Sequence, residues 1–133
     1  MKNAIKILMA LFLINGSFMN TIKVQANDNG SRAVVILEHV TKTSQTYNYT
    51  YLGKTLNYTI TVSGDYTLTS GTITAANMSA NVDYTVEDSK FYVQVVSTVT
   101  SFTSNTITSR VKVKFIYDGE ELGMLTKTIK VIE

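Results

Sequence analysis

Residues 55–62 read Thr-Leu-Asn-Tyr-Thr-Ile-Thr-Val, a strict alternation of polar and apolar side chains. An extended strand has a side-chain period of two, whereas a helix would scatter these residues around its axis. Leu56, Tyr58, Ile60 and Val62 are therefore expected on a buried face, with Thr55, Asn57, Thr59 and Thr61 on a wet one. The period returns where Ile107, Val111, Val113, Phe115 and Tyr117 oppose Arg110, Lys112 and Lys114. A slip of one residue there would bury three cations, which is too costly to tolerate. Val82, Tyr84 and Val86 alternate as well, and Phe91, Val93, Val95 and Val99 are expected to share the face of one long strand. Leu125, Ile129 and Val131 carry the last strand. Lys127 interrupts that face, so a bulge or an edge position is expected there.

Turn chemistry punctuates these runs. Gly53-Lys54, Ser70-Gly71 and Asp118-Gly119 read as tight hairpin turns. Ser63-Gly64-Asp65 is expected to end one strand and Glu87-Asp88-Ser89 another. Ala33–Val40 is apolar on both parities, as in a strand covered on both faces or at a sheet centre. Ala75–Ala80 offers one helical turn at most, and no other stretch has helical periodicity. The fold class is all-β: a small antiparallel β-sandwich, loosely immunoglobulin-like, or a β-meander or barrel, of seven to eight strands. The Cys…Trp…Cys pattern of a true immunoglobulin domain is absent. The chain has no Cys, Trp or Pro, so packing and backbone hydrogen bonds alone must hold it.

The N-terminus reads differently. Lys2 and Lys6 precede an unbroken apolar run, Ile7–Ile14, and Val24-Gln25-Ala26 is an acceptable signal-peptidase site. The run is too short to span a bilayer as a helix, which needs about 20 apolar residues. Residues 1–26 are thus expected to be a signal peptide cleaved after Ala26. Residues 27–32 should be a flexible polar leader, and 33–133 a single all-β domain, secreted and without a stable membrane span. With no cell-wall sorting tail, it is expected to be released or held on the surface non-covalently. The cysteine-free, Asn-, Lys- and Ile-rich composition suggests a Gram-positive bacterium.

Cleavage changes the charge. The whole chain carries 12 basic and 10 acidic residues. Lys2, Lys6 and Lys23 leave with the signal while every acidic residue stays, so the processed form is near −1. A net charge of that size gives no electrostatic case for nucleic acid or acidic lipid.

The sequence offers little chemistry. His39 is the only histidine, so a zinc site would need three carboxylates beside it, an uncommon set. It is expected to be a partly buried structural residue, and no metal or cofactor is expected. Glu87-Asp88 and Glu120-Glu121 sit in predicted turns and lack calcium-loop spacing. No Ser carries a nucleophile-elbow signature, and the glycines are isolated, so an enzyme is not expected. Two features point to binding instead. Tyr47, Tyr49 and Tyr51 share one strand face, which could stack on sugar rings or seat a protein partner if it pointed outward. Because Asn48 and Thr50 are too polar for core, the rings are expected inward. The hydroxyl-dense stretch Ser97–Ser109, with Val99, Phe102 and Ile107, reads as a surface hairpin, and its alternative is a membrane-inserting or partner-binding one. The expected function is a secreted, non-catalytic binding or structural module for an unknown protein or polysaccharide. The alternatives are a carbohydrate-binding module using the tyrosines and, behind it, a small β-pore-forming toxin or effector.

Overall fold

The computed structural model describes residues 33–133 throughout and, before them, only the backbone of the strands Ile5–Leu8 and Phe18–Gln25. These two are β1 and β2. The others are β3 (Val34–Thr43), β4 (Tyr47–Tyr51), β5 (Lys54–Thr69), β6 (Thr72–Thr85), β7 (Phe91–Phe102), β8 (Ile107–Tyr117) and β9 (Glu120–Ile132). The described chain is all β, and the seven strands β3–β9 fall into two antiparallel sheets. The expected export signal, cleavage after Ala26 and 27–32 leader fall outside the described residues, apart from β1 and β2.

β5 is the spine of the first sheet. β6 runs along one edge of it, β3 and β4 share the other, and β2 and β1 continue beyond β3. β3 and β4 are in effect one line of chain broken at residues 44–46. Ser44 bridges the break: its backbone N–H donates to the Ile60 carbonyl at 2.8 Å, and its hydroxyl accepts from the Ile60 N–H at 2.9 Å. The second sheet is the meander β7-β8-β9. Among β3–β9 the chain passes between neighbours by hairpins and short loops, a meander rather than the Greek key of an immunoglobulin fold.

The two sheets meet over one hydrophobic cluster. Leu56, Tyr58, Ile60 and Val62 of β5 are fully buried and share it with Phe91 and Val93 of β7 and Val111, Val113 and Phe115 of β8. The registers expected for β5 and β8 are those observed. Three tight turns have positive φ at both central positions: Leu52-Gly53, Ser70-Gly71 and Asp118-Gly119. Such turns match the twist of the strands they join. The first lies one residue earlier than the sequence suggests, because Tyr51 already pairs with Lys54.

Other expectations are corrected. β5 does not end at Ser63-Gly64-Asp65 but runs through it, and Ala75–Ala80 is strand within β6. Gly64 is there because the strands approach closely: a Cβ would lie 2.0 Å from the Asn77 carbonyl oxygen. β3 is not covered on both faces, since Val40 alone of its residues is fully buried, but it does lie inside the sheet, between β2 and β5. In β7, Val96 is an unpaired bulge residue between Val95 and Ser97. It reverses the parity beyond it, so Val99 points outward and is 62% exposed instead of sharing the face of Phe91 and Val93. In β9 the bulges fall at Leu122 and Val131, not at Lys127. Lys127 pairs with Val111 from this edge strand, and its ammonium lies 4.5 Å from the centre of the Tyr47 ring.

Candidate binding surface

The tyrosine face turns inward. Tyr49 stacks on Phe115, with ring centres 3.9 Å apart and planes 8° from parallel. Tyr47 packs against Tyr58 at 5.4 Å and Tyr51 against Tyr117 at 5.5 Å. All three rings are half-buried between the sheets, so their faces are occupied by protein and form no outer stacking platform. The tyrosines close the open side of the core, where β4 approaches β9.

The β7–β8 hairpin also divides. Val99 and Phe102 are exposed, but Ile107, paired with Phe102, is fully buried in the core. The three residues do not form one apolar tip. His39 lies on the outer side of the first sheet opposite Asp65, and its Nδ1 is 2.7 Å from that carboxylate. Asp65 is exposed and His39 partly buried, and the pair is a cross-strand surface contact. Of the acidic turn residues, Asp88 accepts from the Lys54 ammonium and, at 3.2 Å, from the Tyr117 hydroxyl, tying the β4–β5 turn to the end of β8. These hydrogen bonds raise the Lys54 pKa and hold Asp88 at about 2. Beside them Gly53, Lys54, Thr55, Asn57, Thr85, Val86 and Glu87 line an open hollow of about 450 Å³. Among the described residues no three His, Cys, Asp or Glu side chains converge to hold a metal.

A cluster of like charges lies on the outer face of the second sheet. Arg110, Lys112 and Lys114 project from β8, its central strand, on the side away from Val111, Val113 and Phe115. Alternate residues of a strand are about 7 Å apart, so the three cations form a straight, evenly spaced row. Arg110 lies between Val99 and Thr128, Lys112 between Ser97 and Thr126, and Lys114 between Gln94 and Met124. Lys130, opposite Thr108, extends the cationic face toward one end. Between described residues the ion pairs are His39–Asp65 and Lys54–Asp88, and none of these four cations takes part. Ser97, Val99, Arg110, Lys112 and Thr126 enclose a shallow hollow of about 190 Å³ on this face. The exposed Val99 thus borders the cation row.

The outer side of β5 and β6 has the opposite character. There Asn57, Thr59, Thr61, Ser63 and Asp65 stand beside Thr85, Asp83, Asn81, Ser79 and Asn77. A net charge close to zero therefore conceals two faces of unlike sign. The sequence shows which side of β8 the cations take, but the flanking hydroxyls and Val99 depend on strand pairing and on the Val96 bulge. No protein-family model matches the chain, and neither a curated protein nor a solved structure is similar to it.

Proposed function

We propose that the chain is exported through its N-terminal signal and acts outside the cell as a non-catalytic binding module. Its ligand is an acidic polysaccharide, held on the outer face of β7, β8 and β9. One observation carries this reading: the row of Arg110, Lys112 and Lys114, free of ion pairs and flanked by the hydroxyls of Ser97, Thr126 and Thr128. Like charges at neighbouring positions of one strand face repel each other. A bound polyanion relieves that repulsion at three points, and the hydroxyls on either side can meet those of a sugar chain. The face is flat and open, which suits an extended polymer better than a small enclosed ligand.

The test is retention of the secreted form on immobilised polygalacturonate over a salt gradient. Binding is expected at low salt and should fall steeply as salt screens the exposed charges. Lys112→Glu should weaken it by about tenfold or more, equivalent to about 1.4 kcal/mol, without lowering the melting temperature. Salt-insensitive retention, or a Lys112→Glu variant that binds like the parent, would refute the reading.

A further inference from the structure

With β2 taken away, β3 presents a more regular edge than β6, β7 or β9 does. Edge strands invite pairing with foreign chains and are usually protected by bulges, charges or cover. β9 has bulges at Leu122 and Val131 and carries Lys127 and Lys130; β7 has its bulge at Val96. β6 has an unpaired Thr74 and runs beside β7. β3 is ten residues long, free of register shifts against β5, and begins Val-Val-Ile-Leu.

The hydrogen bonds show which groups face that edge. The Ser70 N–H donates to the Val34 carbonyl and the Ser44 N–H to the Ile60 carbonyl, at positions that continue the β3–β5 register. Even-numbered residues of β3 therefore bond to β5, while Val35, Leu37, His39 and Thr41 direct their N–H and C=O groups away from it. In the full chain those groups face β2, which pairs with β3 from Phe18↔Thr41 to Gln25↔Val34. Cleavage after Ala26 removes β2 and leaves the edge open.

We infer that in the processed protein this edge pairs with the same edge of a second copy, giving a two-fold antiparallel β3–β3 dimer. The inference rests on the export reading given above. Two-fold pairing of odd residue with odd residue satisfies the outward groups on both chains. Charge selects among the registers. Pairing centred on Glu38 or on Lys42 sets like charges against each other, and centring on His39 leaves both unmatched. Centring on Val40 places Glu38 opposite Lys42 of the other copy, twice, with His39 opposite Thr41 and Leu37 opposite Thr43. Opposite charges directly across an antiparallel pair stabilise it, and like charges destabilise it. Glu38 already accepts from the Tyr66 hydroxyl, which fixes its place on this strand. A two-fold pairing uses the same edge on both copies, so the contact closes on itself as a dimer and does not propagate.

The experiment is sedimentation of the protein recovered from the culture medium, after its N-terminus has been sequenced. Material beginning at Asn27 is expected to be dimeric, and the unprocessed full chain monomeric because β2 fills the edge. Leu37→Pro should abolish the dimer without loss of fold, since its N–H faces away from β5. Lys42→Glu should weaken the dimer by about tenfold or more, and adding Glu38→Lys should restore it. Processed material that stays monomeric, or a dimer indifferent to these variants, would overturn the inference and leave the export reading intact. Secreted material that retains Phe18–Gln25 would overturn both.

Discussion

Tyr58 shows how little a residue's identity says about its surroundings. Its ring belongs to the core face expected of β5, but its hydroxyl is buried with no hydrogen-bond partner among the described residues. Burial pushes its pKa up to about 12, aided by nearby Tyr47. An unsatisfied buried hydroxyl is a cost, so Tyr58→Phe should leave stability unchanged or raise it by up to about 1 kcal/mol. A urea melt in which the variant lost more than about 1 kcal/mol would mean that the hydroxyl has a partner. Asp88 is the opposite case, a polar group with several partners. Lys54 first, and then the Lys90 backbone N–H, lower its pKa from 3.8 to about 2. A carboxylate lowered by folding contributes stability that is complete above its unfolded value and disappears as it is protonated in the folded state. That contribution should therefore be whole above about pH 4 and vanish as pH falls through 2. Lys54 is shifted upward, so its share persists through neutral pH and is lost only as pH rises beyond the ordinary lysine range. Urea midpoints measured from pH 2 to 7 should fall less steeply on the acid side for Asp88→Asn than for the parent. Parallel profiles would show that this contact contributes nothing on folding.

Among the strands, β5 and β8 were legible because each has one buried and one wet face, so alternation fixes which residues turn inward. That signal fails wherever a residue is inserted. Nothing in Val95-Val96-Ser97 distinguishes the bulge residue from its neighbours, yet the bulge decides that Val99 faces water and Thr98 and Thr100 face inward. Gly64 misleads for a different reason, since glycine marks a turn and a close backbone approach equally well. Its neighbours Ser63 and Asp65 are common turn residues, but the constraint comes from Asn77 and Met78 on the adjoining strand. A Cβ at position 64 meets backbone, which cannot rotate away as a side chain would. Gly64→Ala should therefore cost about 1–3 kcal/mol or more, as other overpacking changes do. Gly123, where a Cβ would meet only the Tyr49 hydroxyl at 3.7 Å, is the control. Gly123→Ala should stay within about 1 kcal/mol of the parent. Equal losses in thermal melts of the two variants would show that loss of glycine, and not the clash, is responsible.

At the scale of the whole molecule, the candidate site was half legible. The side of β8 on which Arg110, Lys112 and Lys114 stand follows from alternation, but net charge hides their segregation from Asp65 and Asp83. That division emerges only when the chain is folded into two sheets with outer faces turned apart. The same arrangement makes β9 a structural requirement although it is an edge strand with an exposed Leu125. β9 supplies Ile129 and Val131 to the common cluster and pairs with all of β8 from Ile107 to Tyr117. It also flanks the tyrosines of β4, through Lys127 over Tyr47 and Gly123 near Tyr49. Deleting residues 121–133 would unpair one edge of β8 and open the side of the core where Tyr49 stacks on Phe115. β7 and β8 would remain a two-stranded hairpin, which is marginal in water without a third strand. Phe115, Val113 and Val111 would then face solvent from a strand with a newly open edge, the usual setting for aggregation. The truncated protein should be insoluble or lack a cooperative melt by near-ultraviolet circular dichroism. A soluble fragment melting cooperatively within a few degrees of the parent would show that β3–β8 form a sufficient core and that β9 is an accessory strand.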